Sequence, residues 1–192
     1  DVEGVRYKEP KLKIMGVEAV KSSTPAPCRE KIKQALKIIM NEDSKVLNSF
    51  IQDFRKDFMN LKPEMVAYPR SVNGLNKWTE SHNLFKKGAP IHCKGAILYN
   101  HLLKEKKLQG KYPYIQEGDK IKFLHMKTPN TYQSTSISFM TKLPEELNLH
   151  DFIDYDMQFE KSFVEPLKFI TDIIRWQIDG SYGTQATLEE FF

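Results

Sequence analysis

Residues Lys11 to Pro25, K-L-K-I-M-G-V-E-A-V-K-S-S-T-P, decide how the rest of the chain is read. Leu12, Ile14 and Met15 form an apolar, extended run. Gly16 interrupts it at a turn, and Val17, Ala19 and Val20 resume it. Lys21 leads into Ser22, Ser23 and Thr24, with Pro25 at a favoured first helical position behind a Thr cap. A cation, three hydroxyls and a helix N-terminus within five positions suit a phosphate-facing edge. The same residues also serve as an ordinary helix cap, and the spacing alone does not choose between the two.

Outward from this stretch, residues 1–24 read as extended and 25–40 as a helix, because Ile32, Ala35, Leu36 and Ile39 recur at helical spacing. Asn41-Glu42-Asp43-Ser44 breaks the pattern and supplies a fresh cap. A second helix follows, with the stripe Leu47, Phe50, Ile51, Phe54, Phe58 and Leu61, which reads as core. The two helices are expected as an antiparallel or bent pair. Residues 62–90, punctuated by Pro63, Pro69, Gly74, Gly88 and Pro90, read as loops. A helix is predicted over Gly95–Lys107, burying Ile97, Leu98, Leu102 and Leu103, with Gly110 past its end. Tyr112–Gln116 and Lys120–Met126 flank Glu117-Gly118-Asp119, a hairpin signal. Lys127–Asn148 reads as polar and irregular, Asn148–Phe163 as helical, and Glu165–Gln177 as a helix with Pro166 near its start. No internal repeat is present.

The chain has 192 residues, 40% of them hydrophobic, enough for a sizeable core in one domain. No run is long enough for a membrane-spanning helix, and no signal-peptide pattern opens it. Because the first residue is Asp, the chain reads as a piece cut from, or processed out of, a longer polypeptide. Cys28 and Cys93 have neither metal-ligand nor disulfide-framework spacing, which fits a reducing intracellular compartment. Charge is unevenly distributed along the sequence. Residues 84–122 hold nine lysines against three acids, and residues 143–192 hold three basic residues against eleven acids. A basic centre beside an acidic end implies one face for a polyanion and one that avoids it.

Candidate chemistry is sparse. Asp154-Tyr155-Asp156 is the one tempting carboxylate pair, yet F-I-D-Y-D-M-Q-F-E reads as a helix start. The five histidines, His82, His92, His101, His125 and His150, have no metal-site or triad spacing, and there is no glycine-rich phosphate loop. Lys94 sits beside Gly95, whose missing side chain permits close backbone approach. Tyr99, Asn100, Lys104, Lys106 and Lys107 then add donors that can grip duplex phosphates without reading sequence.

Asp1-Val-Glu-Gly-Val-Arg-Tyr-Lys-Glu-Pro10 with the K-I-M-G…K-S-S-T-P stretch resembles the end of the palm and the start of the thumb in family B replicative DNA polymerases, those of large tailed phages above all. Pro90-Ile-His-Cys-Lys-Gly-Ala-Ile-Leu-Tyr-Asn100 followed by Glu117-Gly-Asp-Lys-Ile is similar to the thumb segment of the same family. Gln185, Leu188, Phe191 and Phe192 match the clamp-interacting pattern Q-x-x-L-x-x-F-F, although such a tail can also fold back on its own thumb.

The resemblance implies a mainly helical α+β fold: residues 1–24 ending the palm, 25–180 forming the thumb, and 181–192 a tail. It implies that Lys13, Lys21, Ser22, Ser23 and Thr24 sit nearest the primer strand, with the segment from Lys94 to Lys107 gripping further out. The implied partners are primer–template DNA, a sliding clamp and the catalytic palm-bearing part, which would dock near Ile14. No cofactor is expected in this chain. The Mg²⁺ of polymerase chemistry belongs to the missing palm, and the expected location is the cytoplasm of an infected host cell. The alternatives are a non-enzymatic, clamp-tethered DNA-binding factor and a nuclease using Asp154 and Asp156.

Overall fold

The structure, a computed structural model, describes residues 21–178. Lys13, the strands around Ile14, and Gln185, Leu188, Phe191 and Phe192 lie outside the described residues. Helix predominates over one small sheet, as an α+β reading requires. α1 (Ala26–Asn41) and α2 (Ser44–Met59) pack on each other across a two-residue joint. Asp43 caps α2, its carboxylate accepting from the Lys45 and Val46 amides at 2.9 and 3.0 Å. From the expected stripe, Leu47, Ile51, Phe54 and Phe58 are buried, while Phe50 and Leu61 pack at the margin. The cap of α1 differs from expectation. Pro25 itself holds the cap position and Pro27 lies in the first turn, so Thr24 sits one residue ahead of the cap and is buried.

Residues 62–90 are not only loop. They contain α3 (Pro63–Val66), β1 (Tyr68–Ser71) and α4 (Leu75–Trp78). A four-residue strand containing Pro69 carries no usable alternation, and its place at the sheet edge is where proline is tolerated. The expected hairpin is absent: Gln116–Asp119 turns, but Tyr112–Gln116 is not a strand. Instead β2 (Lys120–His125) lies between β1 and β3 (Ser136–Phe139), antiparallel to both. β3 arises in the polar stretch 127–148, where Ser136 and Ser138 hid it. Both serines are buried, their hydroxyls donating to the carbonyls of Ile91 and His92 at 2.7 and 2.8 Å.

α5 (Ile91–Glu105) starts four residues before the expected Gly95 and ends before Lys106. Gly95 is its point of closest contact with the sheet. A Cβ there would lie 2.5 Å from Ser138 Oγ and 2.7 Å from the Ser138 amide nitrogen, so the missing side chain serves helix–sheet packing. Residues 148–163 hold a short 3-10 turn at His150–Phe152 and become continuously helical only from Tyr155. α6 (Tyr155–Phe159), a π turn over Glu160–Val164 and α7 (Glu165–Ile173) follow one another directly, with Pro166 in the first turn of α7. Buried Gln158 ties this column to the sheet, accepting from the His125 amide at 2.8 Å and donating to the Val66 carbonyl at 2.7 Å.

Candidate nucleic-acid interface

Strand register places Tyr68 opposite Phe123 and Arg70 opposite Ile121, so Tyr68, Arg70, Phe123 and His125 share one face of the sheet. The Tyr68 and Phe123 rings stack with centroids 5.1 Å apart. The Arg70 guanidinium lies 5.5 Å from both ring centres, a cation–π arrangement. Arg70 Nη1 also donates to the carbonyls of Ser23 and Pro69, each at 2.8 Å, fastening the Ser22–Thr24 turn to the sheet. Lys161, Glu165 and Pro166 close the other side of a cleft of about 420 Å³ that these four sheet residues line. Lys161 and Glu165 stand 3.7 Å apart.

His125 meets both rings edge-on, and His92 reaches toward Phe123 from the first turn of α5. Burial holds both imidazoles below their ordinary pKa, with Arg70 adding to the effect at His92 and Lys161 at His125. Both are accordingly neutral at pH 7, and the cleft's positive charge comes from Arg70 and Lys161.

Around α4 and the start of α5, further cations lie on aromatic rings. Lys94 Nζ is 5.5 Å from the centre of Phe85, and Lys77 Nζ is 4.8 Å from that of Trp78. A Thr79–Phe85 bridge and the Lys86 amide bonded to the Trp78 carbonyl at 2.8 Å hold this loop together, with Lys86 and Lys87 exposed on it. The acids of the basic block are already engaged. Glu117 accepts from the Gly74 and Leu75 amides at 2.6 and 2.7 Å, Asp119 accepts from the Gln116 amide, and Glu105 faces His101 at 3.7 Å.

The residues expected at the interface divide by location. Lys21 and Ser22 are exposed and Ser23 is half-buried against Arg70, while Thr24 is 2% exposed. Lys94 is half-buried at the first turn of α5. Tyr99 is 2% exposed, its phenol pushed up to about 12 by burial, so it is a core residue. The Asn100 amide is occupied by Ile115, donating to its carbonyl and accepting from its N–H, each at 2.8 Å. Lys104 is exposed on the third turn after Lys94, about 15 Å further along the axis. Lys106 caps the helix end and Lys107 turns away with φ 55°. Asp154 caps α6 by accepting from the Met157 amide at 3.0 Å, and Asp156 pairs with Arg55 at 3.9 Å. Among the described residues no group of three or more His, Cys, Asp or Glu side chains stands ready to hold a metal ion.

No family model matches the chain. It is 30% identical over 172 residues to the DNA-directed DNA polymerase of Enterobacteria phage T4, an alignment covering 87% of this chain. It is 30% identical over 197 aligned positions to the DNA-directed DNA polymerase of Escherichia phage RB69, which covers all of it. The matched region is C-terminal in those proteins. The chain is kin to the C-terminal part of phage DNA polymerases. It spans 18% of the first relative's length and 21% of the second's.

For this polymerase relative, sequence reasoning missed Arg70, Lys77, Trp78, His92, His125 and Lys161. Arg70 lies in a strand too short to announce itself, and Lys161 lies in the acidic segment, where its partners across the cleft are invisible to a linear charge count. Lys77-Trp78 is an adjacent basic and aromatic pair, but Phe85-Lys86, Lys111-Tyr112, Lys122-Phe123 and Lys168-Phe169 are others, so adjacency alone does not single it out. No described helix is long and apolar enough to cross a membrane.

Proposed function

We propose that the chain is the thumb part of a family B DNA polymerase, holding primer–template duplex as it leaves the active site. The observation that carries this reading is the Arg70 node, where the K-S-S-T turn, the sheet and the α6–α7 column meet around one cleft lined by two cations and by Glu165, which pairs with Lys161. Arg70 and Lys161 would accept a backbone phosphate there. Lys77 and Lys94, steadied on Trp78 and Phe85, would take others along the same strand. Such contacts go to the backbone, so the grip is indifferent to sequence, as a replicative enzyme requires. Lys13, Lys21, Ser22, Ser23 and Thr24 would border the primer on the palm side.

In the same reading Gln185, Leu188, Phe191 and Phe192 plug a sliding clamp and keep the enzyme near the primer end, raising its effective concentration. The metal-binding carboxylates and their Mg²⁺ belong to a palm-bearing part, which the chain needs for activity, and the setting is the host cytoplasm. The test is primer extension with the 192-residue chain alone and with the palm-bearing part, with and without clamp. The expected result is extension by the mixture only, with product length shortened when Gln185–Phe192 is deleted. A dead mixture whose lone chain still binds duplex and clamp would replace this reading with that of a non-enzymatic accessory factor.

A further inference from the structure

A second, larger hollow of about 940 Å³ runs between α4, the Thr79–Leu84 loop, α5 and Tyr114–Glu117. Its volume is in the range of small-ligand sites. Leu75, Ile97 and Ile115 give it an apolar floor, and the floor is rigid: Asn100 pins Ile115 by two hydrogen bonds and Glu117 pins the start of α4. The rim is of a different character. Asn76 and Gln116 bring amides that offer donor and acceptor together, and Tyr114 brings an aromatic ring, with the residue 38% exposed. Lys104 and His101 stand on the α5 side.

A flat apolar floor, an exposed ring, amide edges and a cation together fit a nucleobase with its attached phosphate better than they fit an aliphatic chain or a peptide. The hollow also adjoins the basic surface described above. Leu84 lines it and is followed by Phe85, on which Lys94 rests, and Thr79 lines it beside Trp78. Of the two carboxylates that line the hollow, Glu117 is bonded to backbone amides, and Glu80, exposed on the loop, accepts from the Asn83 side chain at 3.4 Å.

We propose that this hollow is a seat for an unpaired nucleotide of a single DNA strand, separate from the duplex cleft at Arg70. The inference rests on the polynucleotide-binding reading above. Tyr114 stacks on the base, Asn76 and Gln116 meet its edge, and Lys104 takes the phosphate. The cleft and the hollow then divide the labour, one for duplex backbone and the other for an unpaired end.

The experiment measures anisotropy of fluorescein-labelled (dT)12 and of a labelled blunt duplex on the full chain, wild type and variants. Tyr114→Ala and Gln116→Ala, both at exposed positions, are expected to weaken (dT)12, the first by about tenfold, the usual size of a lost stacking contact, the second by about fivefold, and to leave the duplex within about twofold. Lys161→Gln is expected to show the opposite pattern. Competition by free dTMP would assign the seat to one nucleotide, and competition by unlabelled (dT)12 alone to a continuous strand. Loss of less than about twofold on (dT)12 for both variants, or equal loss on both probes, overturns the proposal. A chain that binds (dT)12 through Tyr114 but ignores duplex would sink the duplex-grip reading and leave the nucleotide seat standing.

Discussion

At Gly95 a single hydrogen atom sets how close α5 can come to β3. Adding a methyl group drives it into backbone atoms of Ile137 and Ser138 at 2.7–2.8 Å, which cannot rotate away. Gly95→Ala should therefore destabilise the chain by about 1–3 kcal/mol, despite alanine's better helix propensity. A lower urea midpoint at unchanged slope would be the signature. His125 and His92 give a second effect at this scale. Burial depresses both folded-state pKa values below the ordinary 6.5, so the unfolded chain binds protons more readily than the folded one. Their contribution is thus present above pH 6.5 and is lost as the pH falls below it. Urea midpoints should drop between pH 7.5 and 5.5, and His125→Phe should flatten that slope. A midpoint that rises on acidification would refute the assignment.

Among the elements, the α6–π–α7 column shows how a tempting carboxylate pair can have wholly structural roles. Asp154 satisfies the start of α6, and Asp156 neutralises Arg55, whose guanidinium also lies 4.5 Å from the centre of Phe159. Asp154→Ala should cost about 1 kcal/mol, the usual effect of a lost N-cap, visible as a lowered melting temperature. Metal-dependent DNA cleavage by wild type that vanished in Asp154→Ala would instead revive the nuclease reading. The π turn over Glu160–Val164 lies immediately before Pro166, a residue without an N–H to continue the α-helical ladder. One extra residue in the turn lets the helix pass the proline and keeps Lys161 on the cleft side.

For the whole molecule, electrostatics is arranged by folding and not by order along the chain. Lys161, from the acid-rich end, joins Arg70 across the cleft, while Lys111, from the basic block, is neutralised by Glu146, whose carboxyl is held down to about 2 chiefly by that lysine. If Arg70, Lys77, Lys94 and Lys161 each meet a phosphate, log K for duplex should fall with log salt at a slope of about −3 to −4. A Lys94→Gln, Lys161→Gln double variant should lose about 2 of that slope. An unchanged slope would place the duplex elsewhere.

The sequence by itself determined the long helices and the kinship. The α2 stripe, the Asp43 cap and most of α5 were legible because amphipathic period and capping chemistry are local. The K-S-S-T and H-C-K-G segments likewise pointed to phage polymerases before any fold was known. β2 falls within the predicted Lys120–Met126 run, but only the tertiary structure decided its partners and the cleft. β1 and β3 are four residues long and owe their existence to distant partners on β2, Tyr68 pairing with Phe123 and Phe139 with Lys122, which no local period encodes. Tyr99 and Asn100 looked like surface donors until packing buried the first and Ile115 consumed the second. Arg70 looked like an ordinary loop residue until the Ser23 carbonyl, two stacked rings and Lys161 gathered around it. Contacts between residues far apart in the chain made that site, and they exist only once the chain has folded.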